Sequence, residues 1–456
     1  VAWHPIEEVD VFFHLELGEA VLRHGSRLVP EPSAFTDYAP LCVVPAWLWD
    51  ISAYGLYKLG GVNALLAATV LLAGILAWSI CFLVERLEAR RSLAAFVWVS
   101  GMASVCVSHR LQVRPQVAFF LTLAGFMALC FAYRGTAGSG RAFRGASIVA
   151  LAVFWAQIHG SVVLAPVVFA LMVVESAWAG RDDPYQRRVD LLVLAGVLAS
   201  LATGSSGFDV LKYVTTHAGD DIARHNMEMA AVDWSSVAPF GPPIAGGLLG
   251  IWLPAIAGVR DRDGWHLPEV LLALLGVYLF SNVLRFSSTA ALLAIPLAVK
   301  GACQLAEAGR TVYRRRESWI GVTVAAALAI ALLWRRGEEA YRTAGPFPHG
   351  GWTSGAHPRA AAEHLSRRLP AGSNVLTQYV AGPPLAFWAG DHLRTFVDGR
   401  TAMYFDATDF ALSRELFRHE EALWRGIQRY RAGAVVVRRT EGICQMLGRK
   451  GVPAVI

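Results

Sequence analysis

The sequence predicts a mostly α-helical, polytopic membrane protein that ends in a small C-terminal α/β domain outside the cytoplasm. Three observations support this fold class. Apolar residues make up 55% of the 456 residues and charged residues only 17%, whereas a soluble globular chain carries about 25% charged residues. Apolar runs recur along the chain as far as residue 334. Residues 337–456 instead alternate between helical and strand patterns, which is typical of a small α/β layer.

Ten apolar runs approach the length that a bilayer-spanning helix needs, which is about 20 residues. Backbone polar groups must be satisfied within lipid, so each run should be helical. The runs cover residues 62–84, 93–108, 115–133, 145–158, 161–179, 188–203, 241–259, 267–283, 287–305 and 318–334. We therefore expect a membrane domain of about ten transmembrane helices over residues 62–336.

The arginines of the connecting loops predict the orientation of this domain. Fifteen of them fall in five alternate loops, which all lie on the same side of the membrane. By the positive-inside rule this side should be cytoplasmic. The fifteen arginines are Arg86, Arg90, Arg91, Arg134, Arg141, Arg144, Arg181, Arg187, Arg188, Arg260, Arg262, Arg310, Arg314, Arg315 and Arg316. Residues 1–61, residues 204–240 and the C-terminal domain then all lie on the outer side of the membrane.

Residues 1–61 should form an outer segment with two interfacial helices. Val9–Leu28 is amphipathic and should form a helix that ends before Gly25. Residues 40–59 are apolar, but counting them as a crossing would move all five basic loops outside. We therefore expect a helix that lies in the outer interface or re-enters it. Four aromatic residues fit that position: Trp47, Trp49, Tyr54 and Tyr57.

The tail from 337 to 456 should be a separate soluble α/β domain behind a turn-rich linker at Gly345–Gly351. Helical patterns cover residues 358–368, 384–388, 407–417 and 419–430. Strand patterns cover residues 374–376, 393–397 and 433–437. The chain begins at Val1 and stops at Ile456 within what resembles the start of a strand. We expect further residues at both ends, including a first membrane helix.

Several functional classes are disfavoured. The six cysteines contain no Cys-x-x-Cys pair, so neither a disulfide framework nor a zinc site is expected. The formal net charge of +6 resides largely in short loops, where it sets orientation, so no nucleic-acid partner is expected. The middles of the predicted spans carry no ionisable residue, which argues against an ion-coupled transporter.

Unusual polar residues instead collect on the predicted outer side. The first outer segment carries Asp10 and His14, and residues 204–240 carry Asp220 and Asp221. Acids with histidine can bind a divalent metal or act as a general base, so Asp10, Asp220 and Asp221 are metal candidates. The outer turns add possible substrate-binding residues, because arginine geometry suits phosphate: Arg110, Arg114, Gln116, Gln157, His159 and Arg285.

Each of these residues also has a structural explanation. Polar residues are ordinary at helix ends, where the headgroup region is wet. Arg110 and Arg114 could bind only lipid phosphates, and His159 before Gly160 could only cap a turn. Convergence on one side of the membrane is what favours function.

The order of several short motifs resembles the C-type (GT-C) superfamily of polytopic glycosyltransferases, in particular bacterial protein-mannosyltransferase-like members. The run Asp10–His14 is similar to the family's Asp-x-Trp-Trp-His, with Phe12 and Phe13 in place of the tryptophans. Further similar positions follow along nearly the whole chain: Gly18, His24-Gly25, Pro30, Ser33–Thr36, Arg114–Gln116, Trp155–Gly160, Asp233-Trp234 and Val397–Arg400. The family usually has Asn at the position of Gln157 and Glu-Trp at Asp233-Trp234.

The resemblance implies a membrane-lipid partner and a lipid-linked sugar donor, usually a polyprenyl phosphate, used at the outer face of a bacterial inner membrane. It implies an essential acid at Asp10, as general base or metal ligand. Arg110, Arg114 and Arg285 would neutralise the phosphate leaving group, while His14 and His159 would orient donor or acceptor. The alternative is a non-catalytic subunit with this fold in a larger assembly of membrane proteins.

Overall fold

The computed structural model describes most of the chain and divides it into two compact units. Described are residues 6, 8–31, 33–36, 41–87, 92–136, 138–178, 183–211, 241–261, 264–265, 267–283, 286–312, 326–335, 338, 352, 357–396, 412–413 and 415–437. The helical unit consists mainly of Leu66–Leu211 and Asn226–His349. The mixed unit consists mainly of Pro5–Leu65 and Gly350–Ile456.

The mixed unit begins with helix α1 (Asp10–His24) and two short antiparallel strands, β1 (Leu28–Pro30) and β2 (Leu41–Val43). Helix α1 ends at Gly25, as the sequence predicted. This residue has φ 62°, a left-handed conformation that suits glycine at the end of a helix. The apolar face of α1 is buried within the protein, so protein packing covers the side that we expected to lie in the membrane interface.

Helix α2 (Trp47–Arg86) starts in the mixed unit and continues into the helical unit. Its helical geometry breaks at Gly60 and Gly61, where Gly61 has φ 59°. The expectation of a helix over all of residues 40–59 was therefore wrong at its beginning. Leu41–Val43 is a strand instead, because it pairs with β1 and places the buried Cys42 opposite the buried Val29.

The helical unit contains helices at all the remaining predicted apolar runs. They are α3 (Leu93–Ser108), α4 (Pro115–Arg134), α5 (Ser139–Ile158), α6 (Leu164–Trp178), α7 (Pro184–Ser200), α8 (Gly241–Ala257), α9 (Leu267–Asn282), α10 (Ser287–Val312) and α11 (Ala326–Arg335). Strands β3 (Arg260–Asp261) and β4 (Gly264–Trp265) form a short hairpin after α8. Among the described helices, Trp47–Arg86, Pro115–Arg134 and Ser287–Ala308 are long and apolar enough to cross a membrane, and several others are apolar but shorter. The mostly α-helical fold with several apolar helices that the sequence predicted is therefore confirmed.

One end of this unit contains a buried ion pair. The Arg141 Nη2 and Asp190 Oδ1 atoms are 2.6 Å apart, and both residues are 3% exposed. The Tyr133 hydroxyl also donates to Asp190 Oδ1, at 2.6 Å. Arg141 was expected in a loop, and this was wrong, because it lies in the first turn of α5 and is held there by Asp190 of α7.

A second network joins the end of α4 to the beginning of α9. Glu269 is 1% exposed, and its Oε1 accepts from Arg134 Nη1 and from Lys300 Nζ, each at 3.0 Å. Arg134 is the last residue of α4, and Glu269 lies in the first turn of α9. The end of α4 and the beginning of α9 therefore lie at the same end of the helical unit. This agrees with the sequence prediction, which places the loop after α4 and the loop before α9 on the same side of the membrane.

The second part of the mixed unit alternates helices with parallel strands. Its elements are α12 (Arg359–Arg368), β5 (Ser373–Thr377), α13 (Gly382–Ala389), β6 (Leu393–Thr395), α14 (Glu420–Tyr430) and β7 (Ala434–Val436). The three strands form a sheet in the order β6–β5–β7, with β5 parallel to both neighbours. Successive residues of β5 face opposite sides of this sheet, so that Val375 packs with Leu365 and Leu385 while Leu376 packs with Phe396.

The two chain segments of the mixed unit are joined by backbone pairing. Ala34 forms a parallel bridge with Thr395, and the Thr36 hydroxyl donates to the carbonyl oxygen of Phe396 at 3.2 Å. Arg394 Nη2 donates to the carbonyl oxygen of Ala34 at 2.8 Å. Such contacts cannot form across a bilayer, so residues 33–36 and 393–396 lie on one side of the membrane.

Candidate functional site

Helix α1 carries the two predicted catalytic residues, Asp10 and His14. Asp10 is the first residue of the helix, and its backbone N–H donates to Glu8 Oε1 at 3.3 Å. The two residues are four positions apart, so they occupy one face of the helix. Helical side chains lean toward the helix N-terminus, which places the His14 imidazole over the turn that begins with Asp10.

His14 makes a buried contact that sequence reasoning missed. Its Nδ1 is 2.6 Å from Oδ1 of Asp50 in α2, and the two residues are 8% and 1% exposed. An ionised carboxylate can only accept hydrogen bonds, so Nδ1 carries the shared proton when Asp50 is ionised. The signal was available in the sequence, because Asp50 is the single acid within the apolar run 40–59.

Gly18 allows α1 to approach α2 closely enough for this contact. A Cβ atom at residue 18 would overlap the backbone carbonyl group of Asp50 and would come within 2.9 Å of Tyr54 Cβ. Gly18 is one turn after His14 on the same helix face. A side chain there would push apart the two helices that carry His14 and Asp50.

One of the two aromatic residues of the motif, Phe12, packs into the protein interior. Phe12 is fully buried, and its ring stacks on Trp352 with the centroids 4.4 Å apart. His357, Phe387 and Trp388 surround the same ring at centroid distances of 4.9, 5.4 and 6.0 Å. Phe12 therefore anchors α1 to the second part of the mixed unit.

The helical unit carries the predicted arginines in the turn between α3 and α4. Arg114 is the N-cap residue of α4 and is 8% exposed, while Arg110 lies in the preceding turn and is half-buried. A cation at this position adds to the positive end of the helix dipole. The two arginines and the helix dipole together favour binding of an anion such as phosphate at the beginning of α4.

His159 and Gln157 have local structural partners, as the alternative interpretation of His159 predicted. His159 caps the short 3-10 helix Gly160–Val163, because its Nδ1 accepts from the Ser161 backbone N–H at 3.0 Å. Gln157 Nε2 donates to Val153 O and to Thr203 Oγ1, both at 3.0 Å. The amide of Gln157 therefore stabilises the junction between α5 and the chain after α7.

Helix α4 brings the arginine turn and the His159 turn together. The imidazole of His159 stacks on Phe119 with the ring centroids 5.2 Å apart. Phe119 follows Gln116 by three residues, so both lie on one side of the first turns of α4. Gln116 Oε1 is buried and has no hydrogen-bond partner among the described residues. The two motifs thus belong to one region of the helical unit.

Three predicted site residues lie outside the described residues: Arg285, Asp220 and Asp221. The same applies to the motif positions Asp233-Trp234 and 397–400. Within the described part of the chain, no three His, Cys, Asp or Glu side chains are grouped so that they could hold a metal ion.

Comparison with known proteins identifies the fold. No family model and no curated protein matches the sequence. The apo structure of the Archaeoglobus fulgidus oligosaccharyltransferase matches with a TM-score of 0.59 and 10% identity, over 94% of this chain and 66% of that chain. The archaeal oligosaccharyltransferase AglB from Archaeoglobus fulgidus, in complex with an inhibitory peptide and a dolichol-phosphate, matches with a TM-score of 0.52 and 12% identity, over 86% of this chain and 61% of that chain.

A third structure, of the archaeal enzyme tethered to an acceptor peptide with the NVT sequon, matches with a TM-score of 0.51 and 11% identity, over 92% and 64%. The chain thus spans about two thirds of the length of these proteins. Similarity at this level of identity shows the fold alone, which this chain shares with these structures of archaeal oligosaccharyltransferase.

Proposed function

We propose that this protein is a membrane glycosyltransferase that moves a sugar from a polyprenyl-phosphate donor to an acceptor hydroxyl at the outer face of a bacterial cytoplasmic membrane. The observation that carries the proposal is the fold shared with archaeal oligosaccharyltransferase structures, one of which is a complex with a dolichol-phosphate. The face of α1 that carries Asp10 and His14 supplies the acid and the imidazole that such chemistry needs.

The reaction would proceed with inversion at the anomeric carbon. Asp10 takes the proton of the acceptor hydroxyl, whose oxygen forms a bond to the anomeric carbon. The bond between that carbon and the phosphate oxygen breaks, and polyprenyl phosphate leaves with the electron pair. Arg110 and Arg114 would stabilise the negative charge of the leaving phosphate, a role that the resemblance also gives to Arg285. His14 and His159 would orient the sugar hydroxyls.

A divalent metal near Asp10 remains a prediction of the resemblance. Asp10 and His14 offer two donor groups, and the described residues add no third side chain that would complete a site. We therefore assign no step of the reaction to a metal. Asp220 and Asp221 remain the candidates for further ligands.

The alternative function is that of a non-catalytic subunit in a larger membrane assembly. One observation favours it: Phe12, within the motif that carries Asp10, is a fully buried anchor for Trp352 and its aromatic neighbours. A motif of this kind could persist for packing alone.

Turnover by the purified protein separates the two functions. The protein in nanodiscs is incubated with a panel of polyprenyl-phosphate sugars and acceptor hydroxyl compounds, and release of free polyprenyl phosphate is measured. If the protein is a glycosyltransferase, release of polyprenyl phosphate should require the donor and should increase when acceptor is added. If folded protein releases no polyprenyl phosphate with any donor of the panel, the result would favour the function of a non-catalytic subunit.

A further inference from the structure

The contact between His14 and Asp50 is the strongest feature of the mixed unit that the proposed reaction does not use. Asp50 is 1% exposed, and its Oδ1 lies 2.6 Å from His14 Nδ1. Its other oxygen, Oδ2, is buried and has no hydrogen-bond partner among the described residues. A buried carboxylate that is half satisfied reduces stability compared with an apolar residue, so packing alone gives no reason for an acid here.

We infer that Asp50 is a positioning residue that holds His14 in the tautomer with a proton on Nδ1 and a lone pair on Nε2, so that Nε2 accepts a hydrogen bond from a substrate hydroxyl beside Asp10. This inference rests on the proposed function. A carboxylate that binds one imidazole nitrogen fixes both the tautomer and the ring orientation of histidine.

The geometry of the two helices supports this role. Nδ1 faces α2, so Nε2 lies on the side of the ring away from Asp50. The His14 side chain leans toward the turn that begins with Asp10. The close approach at Gly18 sets the spacing of α1 and α2 one turn further along α1. Nδ1 is therefore bound to the protein, whereas Nε2 has no hydrogen-bond partner among the described residues and is available to a ligand.

The ligand class follows from the chemistry of Nε2. When Nδ1 carries the proton, Nε2 of the neutral imidazole accepts hydrogen bonds and does not donate them. Sugars and alcohols offer hydroxyl donors, whereas the phosphate of the donor, an ionised diester, offers only acceptors and would be disfavoured. We therefore assign the His14 side of the site to the hydroxyl groups of the sugar or acceptor, and not to the phosphate of the donor.

The first test is spectroscopic and needs no turnover. Protein labelled with 15N-histidine contains thirteen histidines, and the His14 signals are identified by their loss in His14→Gln. The wild type should show a protonated Nδ1 and an unprotonated Nε2. Asp50→Leu, which removes the acceptor, should shift His14 toward the other tautomer, whereas Asp50→Asn can keep part of the preference. A proton on Nε2 of His14 in the wild type would overturn the inference.

The second test uses kinetics, with Asp190→Asn as the matched control. Asp190 is also a buried carboxylate paired at 2.6 Å, but with Arg141 in the helical unit. Loss of an outer partner of a functional histidine lowers activity by about 10–100-fold. Asp50→Leu should therefore lower kcat by that factor with KM for the donor nearly unchanged, with partial recovery in Asp50→Asn. Asp190→Asn should leave kcat of the folded protein within about twofold.

These outcomes separate the inference from the proposed function. Wild-type protein without turnover but with the expected His14 tautomer would refute the glycosyltransferase and leave the Asp50–His14 geometry intact. Turnover that is unchanged in Asp50→Leu would refute the role of Asp50 and leave the enzyme intact.

Discussion

Replacement of Gly18 by alanine tests the helix contact on which the His14–Asp50 pair depends. The added methyl group would overlap the carbonyl group of Asp50 and approach Tyr54 Cβ to 2.9 Å. Overpacking of this kind costs about 1–3 kcal/mol, and separation of the helices also removes a hydrogen bond to a charged group, worth about 1.5–3 kcal/mol. The gain in helix propensity from Gly to Ala is at most about 1 kcal/mol. We expect a net loss of about 1.5–6 kcal/mol in the free energy of unfolding.

Gly55→Ala is the matched control, because Gly55 lies in α2 and a Cβ atom there would have no neighbour within 4 Å. This variant should be as stable as the wild type or more stable by up to about 1 kcal/mol. Both variants are compared by titration with SDS in mixed micelles, with the helical signal in circular dichroism as the readout. Gly18→Ala as stable as Gly55→Ala would show that α1 and α2 are not in contact at this position.

Three further predictions concern topology, a buried charge and the arginine turn. In a background without native cysteines, an impermeant thiol reagent on intact cells should label cysteines at Ser26, Leu59 and Ala371 but not at Ser139; all four positions are exposed. Labelling at Ser139 would invert the orientation, and protection of Leu59 alone would indicate that residues 47–59 cross the bilayer. Arg141→Ala should destabilise the protein by about 3–5 kcal/mol because it leaves Asp190 as a buried charge without its partner, whereas Arg141→Ala combined with Asp190→Ala should recover part of that loss in the same SDS titration. Arg114→Ala should lower kcat/KM for a polyprenyl-phosphate donor by about 10²–10³-fold, the effect of losing one donor that stabilises developing charge, with Arg187→Ala as control; equal values for the two variants would remove Arg114 from the site.

The helical part of the fold could be predicted from sequence because its signals are local. Apolar runs of helical length define the spans, and Gly25 marks the end of α1 within one residue of the expected position. The strand Leu41–Val43 was missed because it exists only through its pairing with Leu28–Pro30. A three-residue apolar segment before a helix has no pattern of its own to distinguish a strand from a helix.

The candidate site was predictable only in part, because its most informative contacts join distant residues. Asp10 and His14 could be placed on one helix face from their spacing. The partner of His14 is 36 residues away, and the bridge between Ala34 and Thr395 spans most of the chain. No periodicity in either segment encodes such a contact, which depends on how α1, α2 and the sheet pack together.

The arginine turn illustrates the same limit. Its residues stood out as polar groups between apolar spans, and the cap at Arg114 follows directly from Pro115 at the next position. The stacking of His159 on Phe119 could not be foreseen, because Phe119 is one of many aromatic residues in apolar spans. Its position on the helix became meaningful only when α4 and α5 were placed side by side.

Turnover by Asp10→Asn tests the central claim most directly. Asparagine keeps the size of the side chain and removes its charge, so the general base is lost while the fold of α1 should persist. Asp391→Asn is the matched control, since Asp391 is an exposed acid of the same unit, with its side chain 84% exposed. We predict that Asp10→Asn lowers the rate of polyprenyl-phosphate release by about 10²–10⁴-fold, with an unchanged unfolding midpoint, while Asp391→Asn keeps the wild-type rate. Equal rates for Asp10→Asn and wild type would contradict the assignment of Asp10 as the catalytic base.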